Sequence, residues 1–306
     1  MIPITIRQLQ VFESVARHLN HSRAADELFL TQPAVSMQIK QLEHILGASL
    51  FDQSGKRLFL SSCGEELLKY AKLILEQVNE IDTVFSEMKG LGRGRLNISV
   101  VSTANYFMPQ FLANFIKSHP KIQVSLSVAN RDSVIKQLLD NIADLAIMGQ
   151  PPEDLDLSAE VFLTNPIVVI CSPDHPFANL EIINPSQLCD ETFLLRERGS
   201  GTRYVAERFF SDAHLRLSNY VEMDTNEAIK QSVQANMGLG IISYHSIELE
   251  LEAGRLSILN IPGFPIIRHW YIVNRRAKRL SLAALEFKSF LLAHASDFNR
   301  LQINKA

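Results

Sequence analysis

Glycines, hydroxyls and arginines are concentrated in one short stretch of the second half of the chain. This stretch is a glycine-rich turn with arginines around it, namely Gly199, Ser200, Gly201, Thr202, Arg196, Arg198 and Arg203. A glycine turn lets the backbone approach a ligand closely, and arginine adds positive charge and hydrogen-bond donors. The pattern predicts a site for a small anion. It is not a dinucleotide fingerprint, because the third spaced glycine of that motif is missing.

A second hydroxyl pair lies about a hundred residues earlier. Ser102 and Thr103 follow an apolar run at residues 96–101 and precede a helical pattern at residues 105–118. In open α/β sheets, ligands bind beyond the carboxyl ends of strands, close to helix N-termini. If two lobes face each other, the hydroxyl pair and the glycine-rich turn converge across a cleft. The alternative left open is two ordinary strand-to-helix turns with solvent-exposed arginines.

A polar helix face in the first part of the chain is suited to a different surface. Residues 31–46 have a buried stripe at spacings of four, three and four, formed by Val35, Ile39, Leu42 and Leu46. The opposite face carries short, non-acidic polar and apolar side chains, namely Gln32, Pro33, Ser36, Met37, Lys40 and Gln41. Thr31 can cap the helix. The pattern predicts a helix held from behind, and an ordinary amphipathic core helix is the alternative.

The neighbouring segments favour a DNA-binding unit. A first helix presents an apolar face formed by Leu9, Phe12, Val15, Ala16 and Leu19, and a short helix at residues 23–28, capped by Ser22, precedes a tight turn. Two strand-like runs at residues 50–52 and 57–60 then enclose a glycine turn with basic residues at its tip. A helix-turn-helix with a basic wing can contact phosphates and base edges. The candidate DNA contacts are Ser22, Arg23, Thr31, Gln32, Pro33, Ser36, Met37, Lys40, Lys56 and Arg57.

A long helix follows the wing and runs to about residue 89. Its apolar residues alternate at spacings of four and three, namely Leu67, Ala71, Ile74, Val78, Ile81, Phe85 and Met88. This heptad pattern predicts a dimerising coiled coil of roughly 40 Å. A helix packed on its own domain is the alternative. The glycine-rich segment at residues 90–94 predicts a hinge.

From residue 95 onward, strands and helices alternate, which predicts parallel sheets. The pattern gives a helix at residues 105–118, a strand at 167–171 and a closing helix at 281–295 that contains Leu282, Leu285 and Leu291. The predicted fold class is α+β multidomain. We expect a winged helix-turn-helix domain at residues 1–62, a dimerising linker helix at 63–90 and a two-lobed α/β domain at 91–306. Lobe I is expected at about 91–163 plus 267–306, and lobe II at about 164–266.

The charge distribution bears on DNA binding. The 306-residue chain has a formal net charge of −3, but residues 1–60 hold six Lys/Arg against five Asp/Glu, a net charge of +1. One unit of this charge binds DNA weakly, so the interpretation requires two or more copies acting together.

Composition and motifs disfavour other protein classes. The three cysteines have no closely spaced pair, which argues against disulfides and zinc. We expect no signal peptide, no membrane span and a cytoplasmic location. His245, His269 and Asp224 lack a recognisable metal spacing. Cys171 and His175 are the best candidates for catalysis, yet Cys171 is better explained as a buried small hydrophobe. We therefore expect no enzyme, no metal and no cofactor.

The segment from Arg7 to Leu68 resembles the LysR-type transcriptional regulators. Four segments, LTQPAVSMQIKQLE, VSTANYFMPQFLANFIKSHP, LAIMGQPP and LRERGSGTR, together with Gln53, are similar to the activators of RuBisCO operons. The resemblance implies a periplasmic-binding-protein-like effector domain and dimers that pair into a tetramer on dyad-symmetric DNA. It also implies RNA polymerase as a partner, and an anionic effector such as a phosphorylated metabolite or nucleotide. Gly149, within LAIMGQPP, joins the candidate effector-binding residues on this basis.

Two alternatives to a carbon-fixation regulator stay open at this stage. Similar motifs serve LysR-type regulators of other operons, for example in sulfur or amino-acid metabolism. A solute-binding protein of a transporter shares the two-lobed architecture, but the preceding DNA-binding unit argues against it.

Overall fold

The chain forms two compact units, which are described separately. The structure is a computed structural model and describes residues 3–55, 57–88, 94–217 and 219–298. Unit 1 comprises Met1–Leu91 and unit 2 comprises Gly92–Ala306.

Unit 1 is a helical unit with one two-stranded hairpin. Its elements are helices α1 (Ile6–His18), α2 (His21–Leu28) and α3 (Gln32–Leu46), strands β1 (Phe51–Ser54) and β2 (Arg57–Leu60), and helix α4 (Ser62–Met88). The two strands pair antiparallel around Gly55, whose φ of +61° suits glycine. The predicted helix-turn-helix and wing are thus present.

The ends of the first two helices differ from the prediction. Leu19 does not join the core: it ends α1 in the left-handed region (φ 48°) and is 43% exposed. Ser22 does not cap α2. Asn20 does so instead, because its side-chain oxygen accepts hydrogen bonds from the backbone N–H groups of Ser22 and Arg23.

The core of unit 1 holds α3 from behind. Val35, Ile39 and Leu42 are buried, and Leu46 packs against the same cluster from the last turn. Full burial of one such side chain is worth about 1.5–3 kcal/mol, so the stripe fixes the rotation of α3 and keeps its polar face outward.

The proposed dimerisation seam of α4 divides into two parts. Ala71 is fully buried in the core of unit 1 and Leu67 packs against that core, so both stabilise their own unit because α4 lies against α1. Ile74 and Ile81 are 42% and 57% exposed, and Val78 is half-buried. The side chains of Phe85 and Met88 lie outside the described residues. So does the predicted hinge, apart from Gly94.

Unit 2 alternates strands and helices. Its strands are β3 (Gly94–Val101), β4 (Ile122–Ala129), β5 (Leu145–Met148), β6 (Leu157–Cys171), β7 (Thr192–Arg196), β8 (Asn219–Met223), β9 (Leu239–Ser243), β10 (Ser257–Ile258) and β11 (Ile266–Arg275). Its α-helices are α5 (Met108–Ser118), α6 (Arg131–Leu139), α7 (Gly201–Asp212), α8 (Asn226–Gln234), α9 (Glu248–Glu252) and α10 (Leu282–Phe298). Short 3-10 turns occur at Ser102–Tyr106, Pro176–Asn179, Pro185–Asp190 and Tyr244–Ser246.

Two long strands join two lobes into one sheet. The strand order is β4-β3-β5-β11-β6-β9-β7-β8, with β10 beside β6. Strands β3, β4 and β5 are parallel in one lobe, and β7, β8 and β9 are parallel in the other. The antiparallel strands β6 and β11 run through both. Separate apolar clusters cover the sheet in each lobe.

Three predicted elements of unit 2 require correction. The helix expected at residues 105–118 begins only at Met108, because a 3-10 turn at Ser102–Tyr106 comes first. The strand expected at residues 167–171 extends back to Leu157, since the added residues pair with β11. The closing helix expected at residues 281–295 runs from Leu282 to Phe298, with Leu291 buried and Leu282 and Leu285 about half exposed.

Among the described residues, no helix combines the length and the apolar character that crossing a membrane requires.

Candidate functional site

The front of α3 in unit 1 is the first candidate site. The Thr31 side chain accepts a hydrogen bond from the Ala34 N–H (3.4 Å), and Pro33 lies in the first turn, where a missing N–H costs no helical hydrogen bond. The acidic residue of this helix, Glu43, binds the Leu50 N–H (2.8 Å). The front of α3 therefore stays free of negative charge.

Most predicted DNA contacts are accessible in unit 1. The exposed ones are Ser22, Arg23, Thr31, Gln32, Pro33, Met37, Lys40 and Arg57. Ser36 is half-buried, and its Oγ accepts a hydrogen bond from Gln32 Nε2 (2.9 Å). Lys56 lies outside the described residues. Arg57 opens β2 beside the turn of the hairpin, so the wing exposes at least one cation.

The second candidate site is a cavity of about 910 Å³ in unit 2. Every predicted effector contact lines it, namely Ser102, Thr103, Gly149, Arg196, Gly199, Ser200, Gly201, Thr202 and Arg203. These residues lie at or just beyond the carboxyl ends of β3, β5 and β7. The fold thus joins stretches that lie about a hundred residues apart in sequence, as expected for a doubly wound sheet.

The N-terminus of α7 is open toward this cavity. Gly199 takes a φ of +88°, a conformation that favours glycine, and turns the chain into the helix. Among the described residues, Ser200 forms no side-chain hydrogen bond that caps the first amides of α7. These N–H groups, at the positive end of the helix dipole, are available to an anionic ligand.

A hydrogen-bond network joins the two lobes at the floor of the cavity. Arg196, only 4% exposed, donates to Asn226 Oδ1 (2.5 Å) and to Ser102 Oγ (3.3 Å). Asn226 Nδ2 donates to Thr103 Oγ1 (3.1 Å). Hydroxyls expected to serve a ligand are therefore already engaged across the cleft, and a ligand has to share them or displace these donors.

Two of the three arginines at the glycine-rich turn bring less charge to the cavity than the sequence indicated, whereas Arg198 lines it and is exposed. Arg196 forms a two-pronged ion pair with Glu197 (2.7 and 2.9 Å). Arg203, 5% exposed, pairs with Glu207 (2.7 Å) and Glu222 (2.6 Å). Burial alone lowers the pKa of Arg203, but these carboxylates more than offset it, so its pKa is raised. Both arginines carry neutralised charge and organise the turn.

Two residues of β11 also line the cavity, and one of them carries a positive charge that no carboxylate of the described residues neutralises. Arg268 lines the cavity and forms no ion pair with any residue that the structure describes. Trp270 lies two residues further along, is 2% exposed and also lines the cavity. Its indole N–H has no hydrogen-bond partner in the described ranges. This nitrogen is itself buried, so it does not face the open cavity, although other atoms of the side chain line it.

Sequence reasoning missed His21, Asn226, Arg268 and Trp270. Asn226 follows the capping residue Thr225, which a helix-start search detects, but only the fold places it against Thr103. Arg268 and Trp270 share one strand at a spacing of two, which predicts a common face yet not a cavity. His21 binds Ser36 across two helices, and no sequence spacing signals that contact.

Nothing in the described residues suggests catalysis or metal binding. Burial raises the pKa of the Cys171 thiol to about 11, so it remains protonated and unreactive. His175 faces Glu191 at 3.4 Å, and Cys171 lies in the core on β6. No group of three or more His, Cys, Asp or Glu side chains in these ranges could hold a metal ion.

Comparison with known proteins gives matches to both units. The family described as bacterial regulatory helix-turn-helix protein, lysR family, matches residues 6–65, and the LysR substrate binding domain matches residues 89–296. The RuBisCO operon transcriptional regulator of Allochromatium vinosum is 47% identical over 96% of this chain and 97% of its own.

Solved structures agree with these matches. The regulatory domain of CcmR from Synechocystis PCC6803, solved in complex with 2-PG, is 40% identical, with a TM-score of 0.64 over 67% of this chain and 99% of that one. The LysR family regulator CbnR has the same fold at 20% identity, with a TM-score of 0.66 over 95% and 99% of the two chains. The helix-turn-helix, the wing and the two-lobed domain are thus those of a known class, and this chain belongs to the LysR family of transcriptional regulators.

Proposed function

We propose that this regulator controls carbon-fixation genes in response to a small phosphorylated carboxylate bound in the cleft of unit 2. Support for the target genes comes from the Allochromatium vinosum relative, named as a RuBisCO operon regulator. Support for the ligand class comes from the CcmR regulatory domain, whose complex contains 2-PG, that is, 2-phosphoglycolate. The alternative to be tested against this proposal is a LysR-type regulator of another operon.

The observation that carries the ligand proposal is the open N-terminus of α7 facing the cavity. Free backbone N–H groups at a helix N-terminus bind phosphate without a charged side chain. The same cavity is lined by the half-buried Arg268 and the exposed Arg198. A ligand with a phosphate at one end and a carboxylate at the other can engage both groups of donors.

The DNA-binding part of the proposal rests on α3 and the wing. The exposed non-acidic face of α3 enters the major groove, with Gln32, Ser36 and Met37 at base edges and Arg57 at the backbone. Two or more copies act together, because the net charge of one unit is small. We propose that the exposed Ile74 and Ile81 of α4 contact a second copy, within a division into residues 1–62, 63–90 and 91–306.

Ligand and DNA are coupled through a shift between conformations. The ligand favours one arrangement of the lobes, and that arrangement changes the spacing of the DNA-binding units in a dimer or tetramer. The regulator acts on DNA in the cytoplasm and contacts RNA polymerase at the promoter. It catalyses no reaction, and turnover of 2-phosphoglycolate by the purified protein would contradict this assignment.

Calorimetric titration tests the ligand site. We expect 2-phosphoglycolate to bind more tightly than glycolate or inorganic phosphate, since each of these lacks one anionic end. Thr202→Pro removes one N–H from the first turn of α7, where proline is tolerated, and should weaken binding about tenfold or more. Thr202→Ala keeps that N–H, and Ser211→Ala changes the opposite end of the same helix. If Thr202→Pro binds like these controls, the helix N-terminus is not the phosphate site.

Footprinting on the promoter beside its own gene tests the DNA assignment. Arg57→Ala and Ser36→Arg should abolish or strongly weaken protection, whereas Ser211→Ala should leave it intact. Adding 2-phosphoglycolate should shorten or shift the footprint of the wild-type chain. Protection that is unchanged in both variants would refute the assignment of α3 and the wing. A footprint insensitive to the ligand would refute the coupling.

A further inference from the structure

His21 and Gln32 both contact one hydroxyl on the front of α3. His21 opens α2, and its Nδ1 lies 3.1 Å from Ser36 Oγ on α3. Gln32 Nε2 donates to the same oxygen at 2.9 Å. Ser36 is half-buried and lies beside the exposed side chains of Pro33 and Met37. The contact therefore sets the hydrogen-bonding state of a side chain that faces the surrounding medium.

The surroundings of His21 determine which ring nitrogen carries the proton. Its ring stands edge-on to Phe51, with centroids 6.2 Å apart, and burial lowers its pKa, so the imidazole is neutral with a single N–H. Nε2 is buried and has no hydrogen-bond partner among the residues that the structure describes. Nε2 is unpaired in either tautomer, but a proton on it would make it an orphaned buried donor, which is rarer in proteins than an unpaired acceptor, whereas a proton on Nδ1 is donated to Ser36.

This protonation state limits what Ser36 can do. A serine hydroxyl has two lone pairs and one hydrogen. With His21 Nδ1–H and Gln32 Nε2–H both donating to Oγ, both lone pairs are occupied. The hydroxyl hydrogen has to point elsewhere, so Ser36 can donate a hydrogen bond to a further partner but cannot accept one. Serine at a base edge ordinarily does either.

We propose that His21 is a positioning residue that makes Ser36 an obligate donor, so that α3 rejects cytosine at the base that Ser36 reads. In the major groove guanine, adenine and thymine each present an acceptor, whereas cytosine presents only its N4 donor. The inference rests on the proposed function, in which α3 enters the major groove. It goes further by assigning a base preference to the pairing of Ser36 with a residue outside α3.

Selection from a randomised duplex pool by the full-length chain tests the proposal, with sequencing of the bound fraction. Comparison of the wild type with Ser36→Ala identifies the position that Ser36 reads, because its preference changes there. We expect cytosine to be disfavoured at that position about fivefold or more in the wild type. His21→Phe keeps an aromatic ring without a donor, and should reduce this discrimination to less than about twofold while other positions keep their preferences. His21→Asn places an amide N–H near the position of Nδ1 and should restore it.

The outcomes separate this inference from the proposed function. If the wild type selects no sequence, the proposed function fails and the inference fails with it. If the wild type selects a sequence but Ser36→Ala selects the same one, α3 is supported and the role of Ser36 is refuted. Cytosine accepted at the Ser36 position by the wild type refutes the donor assignment, even if no His21 variant folds. If folded His21→Phe still discriminates against cytosine as strongly as the wild type, His21 contributes only packing and the proposal is refuted. The same conclusion follows if His21→Asn does not restore the discrimination that His21→Phe loses.

Discussion

The front of α3 and the cleft of unit 2 position their polar side chains in different ways. On α3, the polar side chains lie on one helix, and a buried stripe on its back holds them outward. In the cleft, the polar side chains come from two lobes and bind one another. Arg196 and Asn226 of one lobe contact Ser102 and Thr103 of the other, at sequence separations of 94 and 123 residues.

The difference explains why only one of these sites looks ready for its ligand. The face of α3 is set by the packing of a single element, so it exists before DNA arrives. The two lobes are joined at the cleft by hydrogen bonds between its own residues, and two of its arginines, Arg196 and Arg203, are neutralised by Glu197, Glu207 and Glu222. A ligand has to offset the loss of such contacts, which allows its binding to change the arrangement of the lobes.

The largest expected effect concerns the packing behind α3. Leu42→Ala removes a fully buried side chain from the core of unit 1 and should cost about 2–5 kcal/mol of unit 1 stability. Hydrogen exchange of the α3 amides should therefore increase strongly. Unit 2 serves as the internal control, and its unfolding midpoint, followed by the fluorescence of Trp270, should stay the same. The chain has one tryptophan. A shift in that midpoint would show that the core behind α3 also stabilises unit 2, so that the two sites are not held independently.

A smaller effect is expected from breaking the network between the lobes. Asn226→Ala removes a buried side chain that joins Arg196 to Thr103, and should destabilise unit 2 by about 1–3 kcal/mol. Chemical denaturation followed by the fluorescence of Trp270 measures this change. Gln231→Ala, on the same helix but exposed, is the control. If both variants unfold at the same denaturant concentration, the network does not hold the cleft.

A still smaller effect is expected from the charges beside the cleft. Lys230 lies over the ring of Tyr106 and pairs with Glu227 (2.9 Å) and Glu250 (2.7 Å). Hydrogen bonds from Gln231 and from Lys230 lower the pKa of Glu227. A carboxylate with a lowered pKa stabilises the fold at neutral pH, and this contribution disappears as pH falls through its folded pKa.

Glu227→Gln tests that contribution. The wild type should be more stable than the variant at pH 7, by less than about 1 kcal/mol because Glu227 is 57% exposed, and this difference should shrink as the pH falls through the lowered pKa of Glu227. Thermal unfolding of both proteins across this range provides the measurement. A stability difference that widens on acidification would contradict the assigned direction of the pKa shift.

The smallest expected effect is a difference in cysteine reactivity between the two units, and it is measured without any substitution. Cys63 is exposed on α4, whereas burial raises the pKa of Cys171 in unit 2 to about 11. An alkylating reagent at neutral pH should modify Cys63 in the native protein and leave Cys171 unmodified until unit 2 unfolds. Peptide mass mapping reads the result. Native labelling of Cys171 would show that the core beside β6 opens readily.

The site of unit 1 was largely predictable because its pattern is local. The stripe of Val35, Ile39 and Leu42, the cap at Thr31 and the hairpin around Gly55 all follow from spacing and turn chemistry. The errors there were also local. Asn20, not Ser22, caps α2, since both residue types favour caps and the sequence does not rank two candidates two positions apart.

The site of unit 2 was predictable only as a set of residues. The turn after β7 and the hydroxyls after β3 line one cavity, because parallel strands end at the same edge of a sheet. The state of those residues was not predictable. Arg203 reads as a ligand-binding cation in the sequence, yet its partner Glu222 belongs to the neighbouring strand β8.

By itself, the sequence determined the elements, the class of each surface and the family, because helix periodicity, strand order and turn residues are properties of neighbouring positions. The tertiary structure decided which polar atoms are free and which are already bonded. It paired Arg196 with Glu197 and Asn226, joined His21 to Ser36 and buried the Trp270 N–H without a partner in the part of the chain that the structure describes. Hydrogen bonds depend on the distance between atoms, and across lobes or helices only the folded chain sets that distance.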